Sequence, residues 1–414
     1  MIARLHLRLF GLLLALLPLT EAAAAVSRAT VEKSFAAWLQ NDLWPEASAA
    51  GVSKATFGRA FAGVTLDWDI PEIAPPGTEA QIHVQHQAEF RAPAAYFREE
   101  NLATLARTGR EKLKIWAGPL GKIEKRFGVP GGILVAIWAR ETGFGAAKLP
   151  RLAIRSLATL AFMGWRKETF RPEIVAALQI LEAGDISPAE MRSSWAGAVG
   201  QPQFLPSQFR LYAIDFDGDG KRDIWNSVPD TLASIANYLA KQGWKRERGW
   251  GVEASVPASV SCALEGPEQG QPMRAWAGLG VTQINGKPLP GADSDREAFL
   301  MMPAGRFGPA FMVSQNFYTL KLYNNSDLYA LFIGHLADRL GGSASFAADW
   351  GKMPGGFNRA EVKAMQARLV KQGSDVGEVD GLVGFKTRIA VGRVQEKRGE
   401  APTCWPDAAL VRGK

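Results

Sequence analysis

An acidic residue stands where the surrounding sequence pattern requires an apolar one. Glu141 follows Ile137 by four residues and Trp138 by three, so in a helix it lies on the same apolar face as both. Burial and the nearby negative end of the helix dipole both raise the pKa of such a carboxyl group. A carboxyl group that stays protonated near neutral pH can donate a proton to a glycosidic oxygen as a general acid. The alternative is a structural role, in which Glu141 forms an ion pair with Arg140 or Arg155.

A second group of acidic residues, within residues 215–226, has the spacing of a calcium-binding loop. Side-chain oxygens stand at loop positions 1, 3, 5, 9 and 12, with glycine at position 6, which is the EF-hand arrangement. The predicted ligands are Asp215, Asp217, Asp219, Asp223 and Asn226, with Lys221 supplying its backbone carbonyl. Asn226 replaces the bidentate Glu that is usual at position 12, so we expect weak binding of a structural calcium ion. The alternative is an aspartate-rich turn that holds no ion.

The composition and the missing motifs exclude other kinds of chemistry. The chain has 414 residues, of which 47% are hydrophobic and 21% charged, and this indicates an ordered globular protein. The sequence has no HExxH, G-x-S-x-G, Walker or G-x-G-x-x-G motif, and its four histidines lack the spacing of a zinc site. Metal-hydroxide chemistry is therefore disfavoured, and we expect no cofactor for catalysis.

The N-terminus has the pattern of a secretory signal peptide. Arg4 and Arg8 flank the start of an apolar run over residues 9–19, and the alanines at 22–25 satisfy the small-x-small cleavage rule. The run is shorter than the ~20 residues that a membrane-spanning helix needs, and no cysteine follows it for lipid attachment. We expect removal of residues 1–25 and export of the mature protein without a transmembrane anchor.

The elements that position the candidate residues are mostly helical up to about residue 240, because apolar residues recur there at intervals of three and four. Between about 245 and 302, shorter runs broken by Gly and Pro, with a hairpin turn at Asn285 and Gly286, predict a small β insertion. Helix resumes at Ser326, which can cap it. The sequence thus predicts a mainly α (α+β) catalytic domain over residues 28–340.

A second, smaller domain follows a linker. Residues 341–356 contain five Gly, two Ser and one Pro, which is a linker composition. Residues 357–414 are few for a catalytic domain, so we predict a small helical binding domain. Cys262 and Cys404 fall in the β insertion and in this second domain. The sequence does not give their separation, so whether they pair stays open, with the unpaired state favoured.

The stretch around Glu141 resembles the catalytic helix of the membrane-bound lytic transglycosylase B family, the lytic murein transglycosylases of glycoside hydrolase family 103. Further segments resemble, in the family's order, its substrate-groove segment, metal loop, groove helix and closing motif: residues 196–207, 215–229, 235–239 and 316–324. Gln201 and Pro202 depart from the family pattern, where an aromatic-bearing pair is more usual. The C-terminal residues resemble the peptidoglycan-binding-1 module. The resemblance implies a lysozyme-like helical catalytic domain.

The resemblance also implies a reaction. Glu141 first protonates the oxygen between N-acetylmuramic acid and N-acetylglucosamine, then acts as base on the muramic acid 6-hydroxyl, which gives a 1,6-anhydro product without water. One acid then suffices, and the sequence shows no obvious second carboxylate of the kind that glycosidases pair. By the same resemblance, the residues that bind acetamido sugars or orient the acid are Ser194, Gln203, Tyr238, Tyr323 and Asn324. The alternatives for these residues are structural roles in turns, loops, the core and a helix cap.

The expected partners are peptidoglycan glycan strands and proteins of cell-wall synthesis or remodelling, for a monomer located in the periplasm. The net charge of +7 and the pI near 9.3 fit acidic muropeptides but do not choose among acidic polymers. Nucleic acid is disfavoured, because the signal peptide directs the chain away from it and no basic run interleaves with aromatics. Two other functions stay open: a peptidoglycan-binding scaffold without catalysis and a lysozyme-like muramidase that hydrolyses the same bond.

Overall fold

The computed structural model describes residues 26–76 and 93–413 of the chain. The predicted signal peptide, residues 1–25, lies outside the described residues. Within the described ranges, no helix is both long enough and apolar enough to cross a membrane.

Helices form most of the chain up to residue 241, as the spacing of the apolar residues predicts. In chain order the elements are α1 (Arg28–Trp38), α2 (Trp44–Ala49), α3 (Lys54–Ala60), α4 (Glu99–Ile115), α5 (Ala117–Phe127), α6 (Gly131–Thr142), β1 (Arg151–Leu152), α7 (Ala153–Met163), α8 (Lys167–Ala183), β2 (Arg192–Ser193), α9 (Pro206–Tyr212) and α10 (Val228–Lys241). A π-helical turn (Leu39–Leu43) joins α1 to α2, and a 3-10 turn (Pro93–Phe97) precedes α4. The two short strands pair antiparallel.

Helix α6, which carries Glu141, is bounded by two glycines in the left-handed conformation. Gly128 (φ 75°) ends α5, and Gly143 (φ 56°) ends α6, because glycine adopts this conformation without a Cβ clash. Nine of the twelve residues of α6 are buried, since its sequence is apolar on every side and not along a single stripe. The helix is therefore part of the core, and its C-terminal turn is fixed in place by packing.

The predicted β insertion is a five-stranded antiparallel sheet that extends further along the chain than predicted. The insertion contains β3 (Gly251–Ser255), β4 (Gln271–Pro272), α11 (Met273–Gly278), β5 (Thr282–Gln283), β6 (Glu297–Met301), β7 (Pro303–Arg306) and β8 (Ala310–Val313), and β7 is not one of the five paired strands. The strand order is β4-β6-β8-β3-β5. The boundary predicted at residue 302 is wrong, because all four residues of β8 are buried and the strand lacks the alternation that marks a half-buried strand. The turn predicted at Gly286 is confirmed, with φ of 80°.

Two helices return the chain to the helical domain: α12 (Gln315–Asn324) and α13 (Asp327–Leu340). Asn325 lies between them in the left-handed conformation (φ 49°), which asparagine tolerates better than most residues. The cap predicted at Ser326 is confirmed, because its side chain accepts a hydrogen bond from the backbone N–H of Tyr329. Helix α13 packs against α4, α6 and α12, so α6 is covered on several sides.

The predicted linker, residues 341–356, packs against the helical domain. The ring of Phe346 stacks on that of His335 at 3.8 Å, and the ring of Trp350 stacks on that of Phe97 at 5.4 Å. The carboxylate of Glu253 accepts hydrogen bonds from two backbone N–H groups of this segment. Phe346 and Trp350 therefore bind the segment to the helical domain, although its overall composition is rich in Gly and Ser.

The C-terminal domain is small and helical, with α14 (Arg359–Lys371), α15 (Phe385–Lys397) and α16 (Ala408–Arg412). Cys262 and Cys404 form a disulfide that joins the β insertion to this domain, so the unpaired state favoured from sequence is wrong. A buried ion pair makes the same connection, because the guanidinium of Arg388 donates two hydrogen bonds to the carboxylate of Glu265. The β insertion and the C-terminal domain therefore form an interface, which the sequence did not predict.

Candidate active site

Glu141 lies in the last turn of α6, two residues before the helix ends at Gly143. Its Oε1 accepts a hydrogen bond of 2.6 Å from the hydroxyl of Tyr329, in the first turn of α13. Burial raises the pKa of Glu141 from its ordinary 4.5 to about 7, and the Tyr329 hydrogen bond and the charge of Arg140 oppose this rise only in part. The carboxyl group therefore exchanges its proton near neutral pH, as a general acid must.

The two arginines considered as ion-pair partners of Glu141 have other partners. Arg140 donates a 2.8 Å hydrogen bond to the hydroxyl of Tyr96, and its guanidinium lies 4.8 Å from the centre of that ring. Arg155 donates to two backbone carbonyls at residues 65–66. Over the described ranges, no salt bridge reaches Glu141. The purely structural alternative for Glu141 therefore has no ion pair to support it.

Three tyrosine rings pack in a row that leads to this carboxyl group. Tyr238 and Tyr323 meet edge to face at 5.0 Å, and Tyr323 lies parallel to Tyr329 at 6.1 Å. The hydroxyls of Tyr238 and Tyr323 donate to the backbone carbonyls of Leu322 and Pro202. Burial raises the pKa of Tyr238 to about 12 and that of Tyr323 well above its ordinary value, so both hydroxyls stay protonated. The structure thus places Tyr323 near the predicted acid, and Tyr238 lies one ring further away and is buried.

The other predicted groove residues lie on the loop after β2 and at the end of α12. The hydroxyl of Ser194 accepts a hydrogen bond from the backbone N–H of Ala198, as a turn residue does. Gln203 has a positive φ of 55°, and its amide nitrogen donates to the carbonyl of Gly200, which holds the loop closed. Ser194 and Gln203 stabilise the loop after β2 through these hydrogen bonds. The side chain of Asn324, the last residue of α12, is exposed.

Gln201 connects α6, which carries Glu141, to the rest of the candidate site. Its side-chain oxygen accepts a 2.7 Å hydrogen bond from the indole N–H of Trp138, and its backbone carbonyl accepts one from the hydroxyl of Thr142. Its amide nitrogen donates to the carbonyl of Trp225 in the aspartate-rich loop. One glutamine therefore links α6, the loop after β2 and residues 215–226.

Sequence analysis missed Tyr329 and Gln201 as functional residues. Tyr329 is 1% exposed and lies in an apolar helical run, so its spacing indicates only a core aromatic. The available signal was its hydroxyl group, because a buried phenol usually has a hydrogen-bond partner. Gln201 was noted only as a departure from a family pattern. Its side-chain amide, if buried, also requires hydrogen-bond partners.

The aspartate-rich loop brings three carboxylates together. Asp215, Asp217 and Asp230 each place one oxygen within 4.8 Å of the others. Asp230 is buried, and its two oxygens accept hydrogen bonds from the backbone N–H groups of Phe216, Asp217 and Asp223. Asp230 was not predicted, because it stands fifteen residues after Asp215, beyond the twelve-residue loop of the EF-hand pattern. Oxygen ligands of this kind suit a hard cation such as calcium.

The remaining predicted ligands interact mainly with the loop backbone. Asp219 accepts a hydrogen bond from the N–H of Lys221. Asp223 accepts from the N–H and the side-chain amide of Asn226, so that amide group donates within the loop. Asp219 and Asp223 are not part of the three-carboxylate cluster among the described residues.

Comparison with known proteins places most of the chain in one domain family. Residues 34–338 match the model described as the transglycosylase SLT domain. SltB3 from Pseudomonas aeruginosa, solved with NAG-anhNAM-pentapeptide and with NAG-NAM-pentapeptide, has 38% sequence identity to the chain. Both comparisons cover 91% of this chain and 98% of SltB3, with TM-scores of 0.78 and 0.79.

Two proteins of Escherichia coli match a smaller part of the chain. Membrane-bound lytic murein transglycosylase B of strain K12 is 31% identical over 215 residues, which are 51% of this chain and 56% of that protein. The chain thus spans about half the length of this curated relative. The lytic transglycosylase Slt35, solved in complex with calcium, is 26% identical, with 61% of this chain and 78% of Slt35 covered and a TM-score of 0.52.

Proposed function

Since the chain belongs to the membrane-bound lytic transglycosylase B family, as its transglycosylase SLT domain and its likeness to SltB3 show, we propose that it cleaves peptidoglycan without hydrolysis. The bond is the β-1,4 linkage between N-acetylmuramic acid and N-acetylglucosamine, and the product carries a 1,6-anhydromuramic acid end. SltB3 has been solved with a NAG-anhNAM-pentapeptide, and we extend that ligand class to this chain.

The observation that carries the proposal is the state of Glu141. Burial gives its carboxyl group a pKa of about 7, so it can both give and take a proton at neutral pH. In the part of the chain that the structure describes, the groups that shift this pKa are Tyr329 and Arg140, and no second carboxylate is among them. A reaction that uses one carboxyl group twice needs no second carboxylate.

The proposed reaction has two proton transfers. Protonated Glu141 donates its proton to the glycosidic oxygen, the bond from that oxygen to C1 of the muramic acid breaks, and the N-acetylglucosamine leaves as an alcohol. The Glu141 carboxylate then takes the proton of the C6 hydroxyl, and O6 bonds to C1 to close the 1,6-anhydro ring. Because Tyr329 holds Oε1, Oε2 is the oxygen that transfers the proton. The carboxyl group ends protonated, as it began.

The predicted groove residues receive complementary roles in this proposal. Ser194, Gln203 and Asn324 offer polar atoms to the acetamido groups of the sugars, while Tyr323 supplies a ring near the acid and Tyr238 packs against that ring. The hydroxyls of both tyrosines donate to backbone carbonyls. Tyr323 therefore contributes its ring to sugar binding, and the buried Tyr238 orients that ring.

Digestion of purified peptidoglycan sacculi, followed by mass analysis of the soluble fragments, tests the proposal. We expect anhydro ends to dominate over reducing ends, and the opposite result would identify a hydrolysing muramidase. Glu141→Gln should abolish release while leaving binding to sacculi intact, whereas Glu100→Gln, an exposed acid on α4, should release fragments like the wild type. If Glu141→Gln keeps full activity, the assignment of the acid is wrong; if the wild type binds and never cleaves, the protein is a scaffold.

We also propose that the aspartate-rich loop holds a structural calcium ion. Asp215 and Asp217 would act together with Asp219, Asp223, Asn226 and the Lys221 carbonyl of the sequence prediction. The clustering of three carboxylates supports the proposal and adds Asp230 as a candidate ligand. Slt35 of Escherichia coli has been solved with calcium. The ion would hold the loop and supply no catalytic chemistry.

Thermal unfolding with calcium chloride or with a chelator tests the calcium site without any activity measurement. Calcium should raise the Tm of the wild type, because a ligand that binds only the folded state stabilises it. Asp217→Asn should lose most of this response, and Asp349→Asn, outside the loop, should keep it. An equal response in all three proteins would show that the loop does not bind the ion.

The remaining expectations concern location and partners. We propose that residues 1–25 direct export to the periplasm, that the C-terminal domain binds peptidoglycan, and that the protein acts as a monomer on glycan strands alongside cell-wall synthesis or remodelling proteins. Co-sedimentation of the full-length Glu141→Gln protein with sacculi tests the binding, because bound substrate is then not consumed.

A further inference from the structure

The turn between α12 and α13, residues 324–327, has the candidate active site on one side and the C-terminal domain on the other. This segment is called the α12–α13 corner below. Tyr323 precedes it and Tyr329 follows it, and both rings lie beside Glu141. The hydroxyl of Tyr323 donates to the carbonyl of Pro202, which ties the end of α12 to the loop after β2. The position of the corner therefore sets the position of two tyrosines of the site.

Helical geometry directs the side chains on either side of the corner to opposite faces. Residues two apart in an α-helix point about 200° apart, because each residue advances the helix by about 100°. Lys321 is two residues before Tyr323 in α12, and Asp327 is two residues before Tyr329 in α13. Lys321 and Asp327 accordingly pair with each other, at 2.8 Å, on the face away from Glu141. This ion pair closes the corner across its two helices.

The C-terminal domain contacts both members of that ion pair. The ammonium group of Lys321 lies 5.0 Å from the ring centre of Phe385 in α15. The guanidinium of Arg388, also in α15, lies 3.8 Å from the carboxylate of Asp327. These residues line a cavity of about 130 Å³ between the corner and the C-terminal domain. The C-terminal domain thus contacts the corner through the ring of Phe385 and the guanidinium of Arg388.

Arg388 is itself held rigidly. Its side chain is 4% exposed, that of its partner Glu265 is 1% exposed, and two hydrogen bonds of 2.8 and 3.1 Å join them. The disulfide between Cys262 and Cys404 fixes the same two parts of the chain to each other. A side chain anchored at this many points can restrain the corner that it contacts.

We propose that the C-terminal domain positions the catalytic acid, in addition to any role in peptidoglycan binding. Phe385 and Arg388 act as positioning residues: they hold the Lys321–Asp327 pair, this pair holds the α12–α13 corner, and the corner holds the Tyr329 hydroxyl against Glu141. The inference rests on the proposed function, since it concerns the acid of that reaction. It makes the small domain part of the active-site structure.

The test uses full-length variants and a soluble peptidoglycan tetrasaccharide, which removes any need for the C-terminal domain to bind sacculi. The first variant is Phe385→Leu, which removes the ring beneath Lys321. The second combines Arg388→Met with Glu265→Gln, so that no buried charge is left unpaired and the glutamine oxygen can still accept from the N–H of Met302. The control is Lys386→Met, on the same helix, whose ion pairs are with Glu268 and Asp375 and not with the corner.

We expect kcat to fall about three- to tenfold in both test variants, with KM changed less than about twofold, because misplacement of a catalytic group by a fraction of an ångström affects the chemical step. The groups that face Glu141 are Tyr329 from α13, Tyr323 from α12 and Arg140 from its own helix. A weaker Tyr329 hydrogen bond should also move the basic limb of the kcat/KM profile to higher pH. Lys386→Met should match the wild type in both respects.

A double variant distinguishes an effect through the Tyr329–Glu141 hydrogen bond from a general loss of packing around the site. In a Tyr329→Phe background, Phe385→Leu should move the basic limb no further, because the hydrogen bond through which it acts is already absent. A further shift there, or wild-type kcat and pH profile in both test variants, would overturn the inference. If the charge-changing variant fails to fold, as shown by loss of a cooperative unfolding transition, Phe385→Leu alone decides. A wild type that forms no anhydro product contradicts the proposed function instead.

Discussion

Replacing Tyr329 with phenylalanine removes one oxygen atom and tests how the structure sets the proton affinity of Glu141. The ring of Tyr329 remains parallel to that of Tyr323, so packing is preserved while the 2.6 Å hydrogen bond to Oε1 is lost. Because the hydrogen bond favours the charged carboxylate, its loss raises the pKa of Glu141 above about 7. Glu141, the proposed general acid, then stays protonated at higher pH, but its carboxyl group is no longer held in one orientation.

The size of the two effects follows from the contacts. A hydrogen bond to a charged group contributes about 1.5–3 kcal/mol, and one pH unit corresponds to about 1.4 kcal/mol. Because Glu141 keeps some exposure to solvent and water can replace the lost donor, we take the lower end, which is a shift of about one pH unit. Loss of orientation should lower the plateau rate about tenfold.

The assay is kcat/KM on a soluble peptidoglycan tetrasaccharide from pH 5 to pH 9, with the anhydro product measured by mass. Tyr329→Phe should move the basic limb to higher pH by about one unit and lower the plateau about tenfold. Tyr212→Phe is the matched control, because its hydroxyl accepts from Gln242 and has no contact with Glu141. A basic limb that stays in place, or that moves to lower pH, would refute the account of how this carboxyl group is tuned.

Three further predictions concern stability. Glu141→Gln should become more stable relative to the wild type as pH rises from 4.5 to above 7, by on the order of 1–3 kcal/mol in urea unfolding, because the folded state keeps a proton that the unfolded state has released. A difference that does not change with pH would contradict the raised pKa. Burial lowers the pKa of His335 to about 4, so the folded protein should lose stability as pH falls from 6.5 towards 4, where only the unfolded state takes up the proton. His335→Phe should remove this pH dependence from the thermal unfolding curve, and an unchanged dependence would mean that another group causes it. Replacing both Cys262 and Cys404 with alanine should lower the free energy of unfolding by about 2–5 kcal/mol, since the disulfide closes a loop with a sequence separation of 142. A reductant should destabilise the wild type by the same amount and the variant not at all.

The stabilising contacts of the C-terminal part show where sequence analysis was limited. A linker was predicted at residues 341–356 from their Gly and Ser content, and the two aromatic residues that bind the segment to the catalytic domain were overlooked. The pairing of Cys262 with Cys404 was left open because a distance between two domains is not encoded in spacing. The docking of this segment and the pairing of the cysteines were not predicted for one reason: both depend on contacts between residues far apart in sequence, which local composition does not report.

The sequence by itself determined the mainly helical fold with a small β insertion and the position of Glu141 on an apolar helix face. These features depend on local periodicity, capping and turn residues, which act over a few neighbouring residues. Only the tertiary structure decided which group holds the acid and which carboxylates share the aspartate-rich loop. Tyr329 reaches Glu141 across 188 residues, and Asp230 joins Asp215 from outside the expected loop. Hydrogen bonds and burial at such separations depend on how helices pack together. Sequence spacing identifies Glu141 as a candidate, but packing sets the pKa of its carboxyl group.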